Sequence, residues 1–396
     1  MSRTLLSRRL FSTTVSRHNY AANLVSPHNN ILKSVDPSHK FYDFRSDTVT
    51  APTDEMFDLM KSASRSDDVF QEDKSVNDLQ DYMAEVTGHE AALFCASGTM
   101  TNQLALNTHL ITPPHTVACD SRAHVFLWEA GGIAVHSRAS VSPIIASNGI
   151  HITSDEIESN LIGRDIYSAP TRVVSLENTL NGMIFPLEEM AKVSTMARNR
   201  GLAMHLDGAR LWNASEETGV SLKEYGKLFD SMSLCLSKGV GAPIGSIVVG
   251  SADFIDRVRY NRKLFGGGWR QAGFMAVAAQ YGIDHIVPTM KETHKLAKYL
   301  ADQLVAMGID LQIPCHTSMV FIDTTRAGLQ VERDLIPALA ERNIKLGGMG
   351  NKARIVLHHQ IDRQGVDSLL EVVRNAITLR QQQDEDTLRL ASSVSA

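Results

Sequence analysis

The segment "TRVVSLENTLNGMIFPLEEMAKVSTMARNRGLAMHLD", Thr171 to Asp207, changes period twice. "TRVVSLEN" is short, apolar and β-branched, and reads as a strand. "LEEMAKVSTMARNRG" reads as a helix closing on Gly201. "LAMHLD" reads as a strand again. Two strands separated by a helix lie parallel in one sheet, with the helix on its face.

The same alternation extends both ways. Val76, Leu79, Met83 and Val86 follow helical spacing and stop at Gly88. "EAALFCA" (Glu90–Ala96) is a strand candidate, and "SGTMTNQLALNTHL" is a helix with Ser97 as its cap. Downstream, "SMSLCLS" and "GSIVVG" are strands. The fold class is therefore α/β, with a mostly parallel sheet flanked by helices. From about Val287 the texture changes to a long helical pattern, then "TSMVFIDT", a helix, "KARIVLHH" and a final helix. This reads as a smaller α+β unit. The expected division is a large domain over 41–286, a small domain over 287–380 and a polar, frayed tail over 381–396. No internal repeat or low-complexity tract is visible.

Composition narrows the function. The chain has 396 residues, is 43% hydrophobic and 21% charged, and carries a net charge of -5. No basic field invites nucleic acid, and no apolar run is long enough to span a bilayer. Cys95, Cys119, Cys235 and Cys315 lack metal-ligand spacing and read as free thiols, so no metal is expected. The opening "MSRTLLSRRLFSTTVSRH" carries Arg3, Arg8, Arg9 and Arg17, and no acidic residue precedes Asp36. Arg-rich, Ser-rich and acid-poor is a transit-peptide composition, which predicts mitochondrial import for a segment of about 40 residues. The alternative is a basic tail on a cytosolic protein.

Ligands of such sheets gather at the carboxyl ends of the strands. Three strand ends here carry unusual residues. The turn Ser97–Thr99 opens a helix, where backbone N–H groups and the helix dipole suit a phosphate; the plainer reading is a capped turn. Asp207 at a buried strand end needs a partner. A pyridinium nitrogen would serve, and so would Arg210, three residues on. Lys238 stands on a turn with Gly239, Gly241 and Gly245, where a partly desolvated lysine becomes an amine nucleophile. A surface lysine is the ordinary alternative. The glycines would let the backbone pass close to a flat ring. Phosphate cradle, carboxylate and lysine in this order specify pyridoxal 5′-phosphate (PLP).

From about Phe41 to His358 the chain resembles the L-threonine aldolases of the low-specificity type, PLP enzymes of the aspartate-aminotransferase fold. The matching phrases are "DFRSDTVTAPTDEM", "DDVFQEDKSVNDLQ", "HVFLWEAGG", "VSLENT", "HLDGARLWNA", "CLSKGVGAPIGS" and "GGGWRQAG". The resemblance implies retro-aldol cleavage of a β-hydroxy amino acid. It makes Lys238 the lysine that binds PLP covalently, Asp207 the partner of its ring nitrogen, and Gly98 and Thr99 its phosphate cup. Arg210 would lie near the ring hydroxyl and the substrate carboxylate. Ser46 and Arg354 would hold that carboxylate. His124 would stack on the ring as a candidate base, oriented by Glu129. Arg270, after Gly266–Gly268, would reach a neighbouring subunit's phosphate, which requires a homodimer or homotetramer. Two departures stand out: Tyr167 where relatives carry a histidine in "DIH", and Leu180 where "LENTHNG" is common. Tyr167 is therefore expected at the substrate's β-hydroxyl. β-Elimination by the same cofactor is the alternative chemistry, and a PLP-binding protein without turnover is the alternative class.

Overall fold

The computed structural model describes residues 41–394. The expected transit segment lies outside them.

A seven-stranded sheet forms the centre. Across it the strands run Ala91–Cys95, Ser246–Gly250, Ser231–Cys235, Ala203–Asp207, Thr171–Glu177, Thr116–Asp120 and Ser140–Ile144. The strand Ser246–Gly250 is antiparallel to both its neighbours, and the other pairings are parallel. The helix Leu187–Asn199 connects the two strands of the opening segment, and Gly201 leaves it at φ +65°. The helix Lys74–Thr87 ends on Gly88, in the left-handed region. Ser97 caps the helix Gly98–His109, its hydroxyl accepting the Met100 N–H at 3.2 Å.

Sequence reading left out two strands, Thr116–Asp120 and Ser140–Ile144. The second is a largely exposed edge strand and contains Pro143, so it lacks the apolar run that marks a buried strand.

A large apolar core spans Val76 to Met290 and fills the faces of the sheet. A second core runs from Ala297 to Val373 around the strands Met319–Asp323 and Lys352–Val356. Tyr42 and Phe44 belong to this second core. The strand Tyr42–Asp43 pairs in parallel with Ile344–Lys345, so the first described residues lie beside the last third of the chain before crossing to the large sheet. The final helix runs Arg363–Val394, so the expected polar tail is exposed helix over 381–393.

Cys95, Cys119 and Cys235 are buried free thiols, and burial pushes the first two up to about 12. No helix among the described residues is long and apolar enough to cross a membrane.

Candidate active site

Parallel pairing places Glu177 opposite Asp207, and Asp207 opposite Ser233, at the carboxyl ends of their strands. The next strand exits through Leu236 into the turn carrying Lys238, closed by the Gly241 N–H donating to the Lys238 carbonyl at 2.8 Å. Lys238 thus sits on the connection between two antiparallel neighbours. It acts electrostatically on both Asp47 and Glu177.

The turn's glycines have a different reason from the one the sequence suggests. Gly241 adopts φ +83°, and a Cβ there would meet His359 and Ile286 at 2.8 Å. Gly245 adopts φ +124° and lies against the Phe94 ring. The protein's own side chains fill the space the glycines clear. At Gly98 a Cβ would collide with the Cys235 sulfur. Only glycine lets the helix start against the strand that leads to Lys238. The backbone N–H groups of the first turn have no intrahelical partner, and Gly98 and Thr99 place them at this edge.

Asp207 is 2% exposed. It accepts from Asn102 Nδ2 at 2.8 Å and from the Ala209 N–H at 3.0 Å. The ion pair with Arg210 does not form. Arg210 instead grips Asp47 with both arms, at 2.8 and 2.6 Å. Burial pushes the Asp47 carboxyl up, but Arg210, Lys238 and Arg354 outweigh it and hold Asp47 down at about 2.

His124 heads a short helix, and its N–H donates to Glu177 Oε2 at 2.7 Å. Its Nδ1 lies 2.8 Å from Glu129 Oε1. A ring nitrogen of His124 and carboxylate oxygens of Glu129 and Asp207 lie within 4.8 Å of one another. Burial lowers His124, but the hydrogen bond to Glu129 and the charges of Asp207, Glu129 and Glu177 win, and the net shift is upward. Glu129 also accepts from Asn102 and from Gln103. Burial, and then the charge of Asp207, push the Glu177 carboxyl well above the ordinary range.

Three further expected site residues lie beside the site or away from it. The Ser46 hydroxyl accepts from Thr48 N–H at 3.2 Å and from Thr48 Oγ1 at 2.9 Å, and faces Asp47 Oδ1 at 3.5 Å. It caps the short helix Asp47–Val49, directly beside the Asp47–Arg210 pair. Tyr167 is 91% exposed and precedes the strand Thr171–Glu177. It lies at the amino edge of the sheet, one strand length from Glu177, so it is not in the site of this chain. Arg270 has a half-exposed side chain paired with Asp67 at 3.1 Å and likewise does not enter this chain's site. Arg354 does approach, donating to the Arg45 carbonyl at 3.1 Å and acting on Asp47. Asp47, Asn102 and Glu177 were not singled out from sequence, although each lies within or beside a motif that was.

A buried carboxylate, a lysine and an open helix start converge on one sheet edge. The beta-eliminating lyase model matches residues 43–327. The chain belongs to the beta-eliminating lyase family. Within it, the chain is 45% identical over 336 residues to a probable low-specificity L-threonine aldolase of Schizosaccharomyces pombe, covering 85% of this chain and 87% of the relative. A solved threonine aldolase of Leishmania major superposes with a TM-score of 0.74 at 19% identity, over 85% of this chain and 99% of that one. A solved serine palmitoyltransferase from Sphingomonas wittichii superposes at 0.64 and 17% identity, over 86% and 87% of the two chains. These two likenesses show the α/β fold.

The residues present fit PLP. Asp207 offers a buried, doubly anchored carboxylate for a ring nitrogen. The start of a 12-residue helix offers unpaired N–H groups for a phosphate. Lys238 offers an amine on the turn that leaves the next strand at the same edge.

Proposed function

We propose that this member of the beta-eliminating lyase family cleaves L-threonine, and L-allo-threonine, to glycine and acetaldehyde. The observation that carries the reading is the convergence of Lys238, Asp207 and the Gly98–Thr99 helix start on one edge of one sheet. Relatives named as threonine aldolases at 43–45% identity support it.

PLP, held by Lys238, supplies a sink for the electron pair released when the Cα–Cβ bond breaks. The protein's own contributions are distinct. Asp207 holds a proton on the ring nitrogen. Thr99 and the helix start carry the phosphate. Arg354 takes the substrate carboxylate, because the Arg210 fork is occupied by Asp47. With Nδ1 hydrogen-bonded to Glu129, neutral His124 keeps Nε2 as an acceptor for the β-hydroxyl proton. That neutral form exists above a pKa raised, against burial, from the ordinary imidazole range by Glu129 and the neighbouring carboxylates, so kcat/KM falls as pH drops through the raised value. Leu180, buried and bridged to Met183, makes the wall near Glu177 apolar.

The deciding experiment is product analysis of the PLP-loaded protein with both threonine diastereomers. Acetaldehyde and glycine are expected, with Lys238→Ala losing both products and the visible cofactor band. Ammonia with a keto acid would replace this reading by β-elimination.

We also propose an oligomer in which Arg270 meets a neighbouring subunit's phosphate. The glycine-rich approach and half-exposed side chain support it. Sedimentation of the holoenzyme as a monomer would refute it. Mitochondrial import is proposed from residues 1–40; a fluorescent fusion of that segment remaining cytosolic would overturn it.

A further inference from the structure

Below the site, hydrogen-bonded side chains continue into the core. Asn102 and His109 lie seven residues apart, on one face of the helix Gly98–His109. That face meets the strands carrying His205, Asp207 and Ser231, where His205 and Ser231 are register partners.

Asn102 is 1% exposed. Its amide nitrogen donates to Glu129 Oε1 at 2.9 Å and to Asp207 Oδ2 at 2.8 Å, which uses both hydrogens. Turning the amide over would set its oxygen against two carboxylates. Its oxygen lies 3.1 Å from His205 Nε2, so that nitrogen carries the hydrogen. His205 is kept neutral by burial, which pushes it down to about 3, so Nδ1 accepts from Ser231 Oγ at 2.9 Å. The single Ser231 hydrogen is then used, and Oγ accepts from His109 Nε2 at 2.8 Å. His109 is stacked on Phe254 at 4.4 Å, and burial holds it neutral. Every donor in the chain has one possible direction.

We propose that Asn102 is a positioning residue that couples His124 to Asp207: one amide holds Glu129, which holds His124, and also holds Asp207, while His205, Ser231 and His109 fix the direction of that amide. The proposal rests on the reading of His124 and Asp207 given above. When His124 gains a proton, Glu129 is drawn toward it and its hold on Asn102 weakens, and Asp207 registers the change. The charged or titratable groups facing His124 are Glu129, Asp207 and Glu177. Those facing Asp207 are His124, Glu177, His205 and Cys235.

The test uses holoenzyme and three readouts: PLP affinity, the pH midpoint of the cofactor's visible absorbance, and the His124 midpoint by imidazole NMR. In the unaltered protein the absorbance and His124 midpoints coincide. In Asn102→Ala they separate by at least about half a unit, and PLP binds about tenfold more weakly. A merely structural role would weaken binding while leaving the midpoints together. Coincident midpoints in Asn102→Ala overturn the proposal. If that variant does not fold, Ser231→Ala carries the test. It leaves Asn102 and both carboxylates in place, and is expected to weaken PLP binding about threefold and part the midpoints. Unaltered values there overturn the proposal too. Absence of acetaldehyde from the unaltered protein would defeat the functional reading alone, since the midpoints are measured without substrate.

Discussion

Two buried aspartate–arginine pairs tie distant parts of this chain together, and they differ in how completely they satisfy one another. Asp47 and Arg210, 163 residues apart, meet through both oxygens and two nitrogens. Asp68 and Arg262, 194 residues apart, meet through a single contact at 2.6 Å. In the second pair Asp68 Oδ1 and Arg262 Nε have no hydrogen-bond partner among the described residues, while Arg262 Nη1 reaches the Phe94 carbonyl. The first pair borders Lys238 and Arg354, so its surroundings are net positive and suit an anionic substrate. The second fastens the segment before the helix Lys74–Thr87 to the helix Ala252–Leu264. One pair shapes a charged site, and the other holds architecture at an electrostatic cost.

The contrast is broken most sharply at Arg262. Arg262→Met leaves Asp68 buried and unpaired, and is expected to cost about 3–5 kcal/mol in chemical unfolding. Activity of the folded fraction should change less than stability, because Arg262 touches neither Lys238, Asp207 nor His124, although its partner Asp68 meets the Arg270 carbonyl; a collapse of kcat with unchanged stability would erase the distinction. Asp47 tests the other side through acid. Against burial, Arg210, Lys238 and Arg354 hold its folded pKa at about 2, below the ordinary aspartate value of about 3.9, so its stabilisation is full above about pH 4 and is lost as pH falls toward 2. The difference is worth about 2 kcal/mol, and Asp47→Asn should flatten that part of the stability–pH curve. Arg354→Lys is expected to raise KM for threonine about tenfold with little change in kcat, since it loses the fork but keeps the charge. An unchanged KM would return the carboxylate to Arg210. Asp67→Asn, which keeps the cap on Val69 and loosens only an exposed pair, should shift stability by less than about 1 kcal/mol. Tyr167→Phe should change neither stability nor kcat/KM measurably.

Much of this fold was legible because its strands are short apolar runs that end at glycine or cap residues. Asp207 and Lys238 could be read because strand ends announce themselves, and the topology puts them on one edge. Asn102 could not. A polar residue inside a helix looks solvent-facing until the packing shows Thr101, Asn102 and Gln103 all buried. Tyr167 misled because a motif position does not say which end of a strand it precedes. Arg210 was near its expected place, but its partner was Asp47, 163 residues away, and such pairings leave no local trace. The glycines around Lys238 are tight as expected, but their neighbours are protein side chains from distant segments, His359 and Ile286 at Gly241 and Phe94 at Gly245.

The pairing of Tyr42–Asp43 with Ile344–Lys345 has a consequence in time. Residues 46 and 47 follow directly on that strand, so their final position depends on chain made about 300 residues later. At ribosomal rates of about 5–20 residues per second, that delay is about 15–60 seconds. In the last part of it, after Gly250 has been made, the central sheet can assemble before the segment that anchors Arg210 is docked. The nascent protein therefore passes through an interval with its lysine and aspartate in place and its charge arrangement incomplete. Full substrate recognition begins only once the last third of the chain has arrived.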